Sequence, residues 1–254
     1  MNPAPAYSPP QAVVLAGGLG LRLRSAVPDL PKVMAPVGGR PFLAGVLAGL
    51  REQGLRRVLV CLGYRAEAVA EYFGDGARLG LAIDYAVEAP PAGTGGALWL
   101  AAPKLEPTFL LLNGDTSLDL DVEAFWRYHR ARDAVVTLAG RRSHGRPRPD
   151  VGYVLAARGG RVVAFSRGAL RPPVARSDQA WACCGWYMCE REMISRVQLP
   201  PPGAAAGRFT LERGFLAPLL GSVYVYPSPS PFTDIGTPER YRRLRQEVEA
   251  NDRP

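Results

Sequence analysis

The sequence is poor in the side chains that most often hold metals or form disulfides. It has four cysteines and two histidines among 254 residues. Cys61, Cys183, Cys184 and Cys189 form no C-x-x-C pair, and only His129 and His144 could join them. That argues against structural zinc. Adjacent Cys183 and Cys184 are expected to sit reduced in or beside a buried strand. No apolar run approaches the ~18 residues of a membrane span. The opening "MNPAPAYSPPQ" has neither a basic start nor an apolar core, so it does not read as a secretory signal. The expectations are a disordered, proline-rich tail over residues 1–10 and a cytoplasmic protein with no membrane partner. No aromatics interleave with the arginines at 141–148, so nucleic acid is not the expected partner either.

Two common phosphate loops are missing as well. No G-x-x-x-x-G-K-[ST] string occurs. A G-x-G-x-x-G reading from Gly18 fails, because its third glycine position is Leu23.

What is present is a soluble, globular composition, 47% hydrophobic and 21% charged. The net charge of +8 suits an anionic partner such as a nucleotide or phosphosugar. Apolar strand-like runs at 12–16, 56–63, 81–88 and 108–115 alternate with helical patterns at 41–54, 65–76, 95–105 and 122–133. This rhythm predicts an α/β fold: a mostly parallel mixed sheet with helices on both faces, in three α/β/α layers. Further strands are expected at 134–140, 151–157, 161–167, 181–189 and 222–227. Helices are expected at 190–197, 210–220 and from Thr237 onward, where Thr237 is a natural N-cap and Pro238 a natural first-turn residue. No linker or repeat divides the chain. Residues 11–254 are taken as one domain, with one lobe over about 11–115, a second over about 116–235 and a closing helix over about 237–251.

The first strand ends in "AGGLGLRLR" (16–24). Glycines at the carboxyl end of a parallel strand let backbone N–H groups approach an anion, and Arg22 adds a fork that fits phosphate oxygens. Lys32, set between prolines in an extended segment, projects a point charge. Asp115 and Asp234 each end an apolar or strand-like run at a polar turn.

The strings "GGLGLRL" (17–23) and "LPK" (30–32), followed in order by "EAPPAGTGGAL" (88–98), "LLLNGD" (110–115), "VGYV" (151–154) and "PFTDIGTPERYRRL" (231–244), resemble the sugar-1-phosphate nucleotidylyltransferases. The resemblance implies a Rossmann-like nucleotidyltransferase fold and in-line attack of a sugar 1-phosphate on the α-phosphorus of a nucleoside triphosphate. It implies Arg22, Lys32 and Asp115 as catalytic residues. Leu15, Ala16, Gly17, Gly18, Gly20, Glu88, Gly93, Thr94 and Asn113 would bind the nucleotide, and Gly152, Arg167, Cys183 and Glu212 the sugar. Mg²⁺ would be held by Asp115 and Asp234. Glu88 could accept both N–H donors of guanine's Watson–Crick edge. The strings around 29–43, 88–97 and 233–241 look most like the heptose-1-phosphate guanylyltransferase branch. A homodimer is left open. Three positions depart from the family pattern: Leu21 replaces the loop threonine, Arg167 and Gly168 replace an acid and a lysine, and Cys183 replaces an asparagine. Arg146 or Arg148 could serve the sugar phosphate. Two other readings stand beside this one: a glycosyltransferase using Asp119-Leu120-Asp121 for its metal, and a non-catalytic nucleotide or phosphosugar sensor.

Overall fold

The computed structural model describes residues 6–88, 92–143, 151–167, 179–197 and 209–251. Its frame is a nine-stranded sheet. β1 (Gln11–Leu15) leads through a short hairpin of β2 (Pro36–Val37) and β3 (Arg40–Pro41) into α1 (Phe42–Glu52). Then come β4 (Arg57–Leu62), α2 (Ala66–Phe73), β5 (Ala82–Val87), α3 (Gly93–Ala101) and β6 (Thr108–Asn113). The second half holds β7 (Thr116–Leu118), α4 (Val122–Arg130), β8 (Val136–Arg142), β9 (Gly152–Ala156), β10 (Val162–Arg167) and β11 (Gln179–Glu190). It closes with β12 (Val223–Pro227), β13 (Phe232–Asp234) and α5 (Pro238–Asn251).

The main path of the sheet runs β10-β9-β11-β6-β1-β4-β5, with β8 paired to β11 and β12 paired to β8. β1 pairs in parallel with both β4 and β6, and β4 with β5. β11 runs antiparallel to β6, which ends the parallel stretch. The chain thus grows outward from β1 through β4 and β5, then returns to β1's other side with β6. That reversal leaves a crevice at the carboxyl ends of β1 and β6, where ligands of open α/β sheets bind.

The three layers follow from strand alternation. Ala12 and Val14 of β1 face one apolar core with α1, α2, α4 and α5. Val13 and Leu15 face a second core with α3 and the segment 211–219. No described helix is long and apolar enough to cross a membrane.

Several local expectations change. Residues 6–10 are not a loose tail: Pro10 is buried, and the Tyr7 ring meets Trp126 edge-on at 5.5 Å. Lys32 does not lie in an extended stretch. Pro31, with φ −54°, starts a 3₁₀ turn over Lys32–Met34 instead. The helix expected at 190–197 is a single 3₁₀ turn, Arg191–Met193, pinned to the start of β6 by the bond from Arg191 N to Pro107 O. The segment 210–220 coils as a π-helix over Glu212–Leu216, because Ala217 N donates to Glu212 O and the ring of Phe209 crowds Gly214.

Candidate active site

The crevice brings the carboxyl ends of β1 and β6 together: Leu15 is paired with Asn113, and Gly114 N donates to Leu15 O at 2.9 Å. Leu15 and Ala16 are buried at the root of the loop, and Ala16 N is held by Cys61 O. Gly20 adopts φ +60°, and a Cβ there would stand 3.1 Å from the Cβ of Lys32, so the loop folds directly over that lysine. A Cβ placed on Gly18 would meet nothing within 4 Å.

Asp115 follows Gly114 and Asp234 ends β13. The short strands β7 and β13 set them side by side, with Thr116 opposite Asp234 and Ile235 N donating to Asp115 O. Each carboxylate has a cationic partner. Lys32 Nζ bonds Asp115 Oδ2, and Arg240 Nη1 lies 2.7 Å from both oxygens of Asp234. Arg22 completes the cluster: a Cβ placed on Gly236 would lie 2.7 Å from Asp234 Oδ1, 3.6 Å from Lys32 Nζ and 3.7 Å from Arg22 Nη2. Arg22, Lys32, Asp115 and Asp234, scattered in the chain, therefore meet around Gly236.

A cleft of about 630 Å³ opens from this cluster toward the second lobe. Asn113, Asp115, Gly152, Cys183, Glu212 and Asp234 line it, all of them residues singled out in the sequence. Gly185, Tyr187, Thr210, Arg213, Gly236 and Arg240 line it too and were not. Arg240 had a legible signal: it is a cation in the first turn of a helix, where the dipole disfavours one unless a local acid compensates. Gly185 had none. Its φ of +74° brings it so close to Asn113 that a Cβ would lie 2.8 Å from Nδ2. The Arg167 side chain and residues 144–150, with Arg146 and Arg148, lie outside the described residues.

Glu88 sits apart from this cleft, at the end of β5. It is buried, accepts Ala92 N at 2.9 Å, and presses against two glycines. A Cβ on Gly17 would lie 2.4 Å from Glu88 Oε1, and one on Gly63 would lie 2.9 Å away. Burial pushes the Glu88 carboxyl above its ordinary range, partly offset by the Ala92 N–H. Gly93 and Thr94, expected near the nucleobase, are engaged by the chain itself. Phe209 O stands 2.6 Å from where a Gly93 Cβ would be, and Thr94 Oγ1 accepts Leu211 N at 2.9 Å.

The thiols are chemically quiet. All four cysteines are free, and burial pushes Cys61 and Cys184 up to about 12 and Cys183 upward as well, beside Glu212. Such thiols stay protonated and are poor nucleophiles. The Asp-Leu-Asp string is not a metal pair: Asp121 Oδ1 caps α4 by accepting Ala124 N.

A glycine loop, three cations and two neighbouring carboxylates at a sheet's switch point define a site suited to polyanionic substrates. The family model for nucleotidyl transferases matches residues 11–250, and the chain belongs to that family. It is 34% identical over 242 residues to the D-glycero-alpha-D-manno-heptose 1-phosphate guanylyltransferase of Aneurinibacillus thermoaerophilus, covering 94% of this chain and 98% of that one. It is 37% identical to the mannose-1-phosphate guanylyltransferase of Mycobacterium tuberculosis, over 91% of this chain and 62% of that one. Among solved structures it is similar to HddC from Yersinia pseudotuberculosis complexed with GMP-PN, with a TM-score of 0.75 and 27% identity over 94% of this chain and 99% of that one.

The family works with a divalent cation. Asp115 and Asp234 fit one: two adjacent carboxylates that leave remaining positions to water and phosphate are the donor set such hard cations accept. Among the described residues no group of three or more metal-type ligands occurs.

Proposed function

We propose that this chain transfers a guanylyl group from GTP to a heptose 1-phosphate, giving a GDP-sugar and pyrophosphate, with Mg²⁺ as the cation. The observation that carries the reading is the convergence of Arg22, Lys32, Asp115 and Asp234 around Gly236, beneath a glycine loop at the switch point. The likeness to guanylyltransferases of heptose and mannose 1-phosphates supports the base and narrows the sugar.

Both substrates are anions, so the first task is to let them approach. Gly17, Gly18 and Gly20 offer backbone amides to the triphosphate without side-chain interference. Arg22 binds its oxygens and stabilises charge as pyrophosphate leaves. Lys32, paired with Asp115 in the free chain, holds the α-phosphate. Bound Mg²⁺ would neutralise phosphate charge. No nucleophilic side chain is needed, because the sugar phosphate oxygen is itself the nucleophile and positioning does the rest. Glu88 selects guanine: an ionised carboxylate can accept both N–H donors of that base's edge, and it offers no donor to a base that presents acceptors there. Gly152, Arg167, Cys183 and Glu212 form the sugar side.

The test is pyrophosphate release with Mg²⁺, pairing GTP, ATP, CTP, UTP or dTTP with heptose, mannose and glucose 1-phosphates. The expected result is release with GTP and a heptose 1-phosphate, abolished in Asp115→Ala. Release with mannose 1-phosphate instead keeps guanylyl transfer and changes the acceptor. Silence across every pair, with nucleotide still bound, moves the chain to a sensing role.

A further inference from the structure

Asp234 is covered by Arg240 in an unusual way. One nitrogen, Nη1, stands 2.7 Å from Oδ1 and 2.7 Å from Oδ2. It therefore sits astride the carboxylate and engages both of its oxygens. Asp115 is covered similarly, with Lys32 on Oδ2 and the Thr116 hydroxyl on Oδ1. The Arg240 and Asp234 side chains are mostly buried, 14% and 15% exposed, so their charges are only partly screened.

A divalent cation cannot be added to this arrangement unchanged. Three side-chain cations already face two carboxylates, and two more positive charges in a half-buried cluster would repel them. A displaced cation must find an anion. Arg240 lines the 630 Å³ cleft beside Arg22, where substrate phosphates are to bind. Its departure need not loosen α5, which is anchored separately by Tyr241 Oη donating to Pro36 O at 2.7 Å and by the burial of Tyr241.

We infer that Arg240 is an exchangeable cation, which holds Asp234 until a divalent cation takes that carboxylate and then binds a substrate phosphate oxygen in the same cleft. The inference rests on the proposed metal role of Asp115 and Asp234. It assigns Arg240 two successive partners and makes metal binding the event that arms the cleft for phosphate. A purely structural Arg240, which only orients Asp234 for the metal, has the opposite signature: its removal would weaken metal binding.

The experiment measures Mn²⁺ binding to the full chain without substrates, by electron paramagnetic resonance and calorimetry, in wild type, Arg240→Met, Arg240→Lys and Asp234→Asn. Exchange predicts that Arg240→Met binds Mn²⁺ roughly tenfold tighter, because a competing charge is gone, while Arg240→Lys stays near wild type. It also predicts that Arg240→Met raises KM roughly tenfold for one substrate. A rise for the sugar 1-phosphate places the guanidinium on the acceptor, and a rise for GTP places it on the triphosphate. Unchanged or weaker Mn²⁺ binding in a folded Arg240→Met protein, or two unchanged KM values, overturns the exchange. Should Arg240→Met fail to fold, Arg240→Gln carries the same test. Mn²⁺ binding that survives Asp234→Asn overturns the metal assignment itself, a failure distinct from that of Arg240 alone.

Discussion

Glu88 shows how one side chain can be set against the stability of its own fold. Its carboxyl is buried against Gly17 and Gly63, and burial raises its pKa. A group with a raised folded pKa contributes stability below its unfolded value, near ~4.3 for glutamate, and loses that contribution as pH rises through the folded value. Ionised Glu88 at neutral pH is therefore a cost to the free protein, and guanine's two donors would offset it on binding. Glu88→Gln is expected to raise the melting temperature of the free protein at pH 8 by a few degrees. The gain should shrink toward pH 4, where the wild-type carboxyl is itself neutral. The same variant should raise KM for GTP about tenfold or more, because an amide N–H then faces a base donor. Melting curves at the two pH values and GTP titrations check both halves. Loss of stability at every pH would mean that Glu88 serves chiefly to hold the Ala92 N–H.

The strands at the centre of the sheet were legible because each is a fully apolar run closed by glycine or a polar turn. β1, β4 and β6 are buried on both faces, so each reads as a continuous apolar run. β7 and β13 were not legible. Three residues each leave no periodicity to read, and their pairing joins residues 116–118 to 232–234, a contact only the tertiary fold supplies. Yet that pairing sets Asp115 beside Asp234. The contact between α3 and the π-helix was equally hidden. Phe209 packs on Gly93, Gly95 and Gly214, three positions where a Cβ would fall within 3 Å of it, and its carbonyl accepts Gly95 N. The glycines at the start of α3 read as a base-binding turn, but they also receive this ring. Phe209→Ala should cost about 1–3 kcal/mol, below the fully buried range because the residue is only partly buried. Hydrogen exchange should quicken together in the first turn of α3 and in 211–216. If exchange quickens in only one of them, the ring is not what couples the two.

Across the whole molecule, chemistry and cohesion occupy opposite ends of the sheet. The site lies at the carboxyl end of β6, and a buried polar network lies at its start. Glu190, the last residue of β11, accepts the Thr108 hydroxyl and lies 3.2 Å from both His129 Nε2 and Arg130 Nη1; His129 Nδ1 meets Thr137 Oγ1 at 2.8 Å. Four elements, α4, β6, β8 and β11, are thereby tied at one point. Burial alone would raise the Glu190 carboxyl, but the His129 and Thr108 hydrogen bonds and the nearby charges outweigh it and leave it below its ordinary value. A depressed folded pKa contributes stability above the unfolded value, ~4.3, and that contribution is lost as pH falls through the folded value. Glu190→Gln should therefore lower stability by about 1–2 kcal/mol at pH 7 and converge on wild type only as pH falls through the depressed folded value, below which both side chains are neutral. Denaturant unfolding across that range measures the convergence. Because the network stands at the far end of the strands from Asp115 and Arg22, KM for both substrates should be unchanged in this variant. A raised KM would mean that the tie at the start of β6 also sets the geometry of the catalytic end.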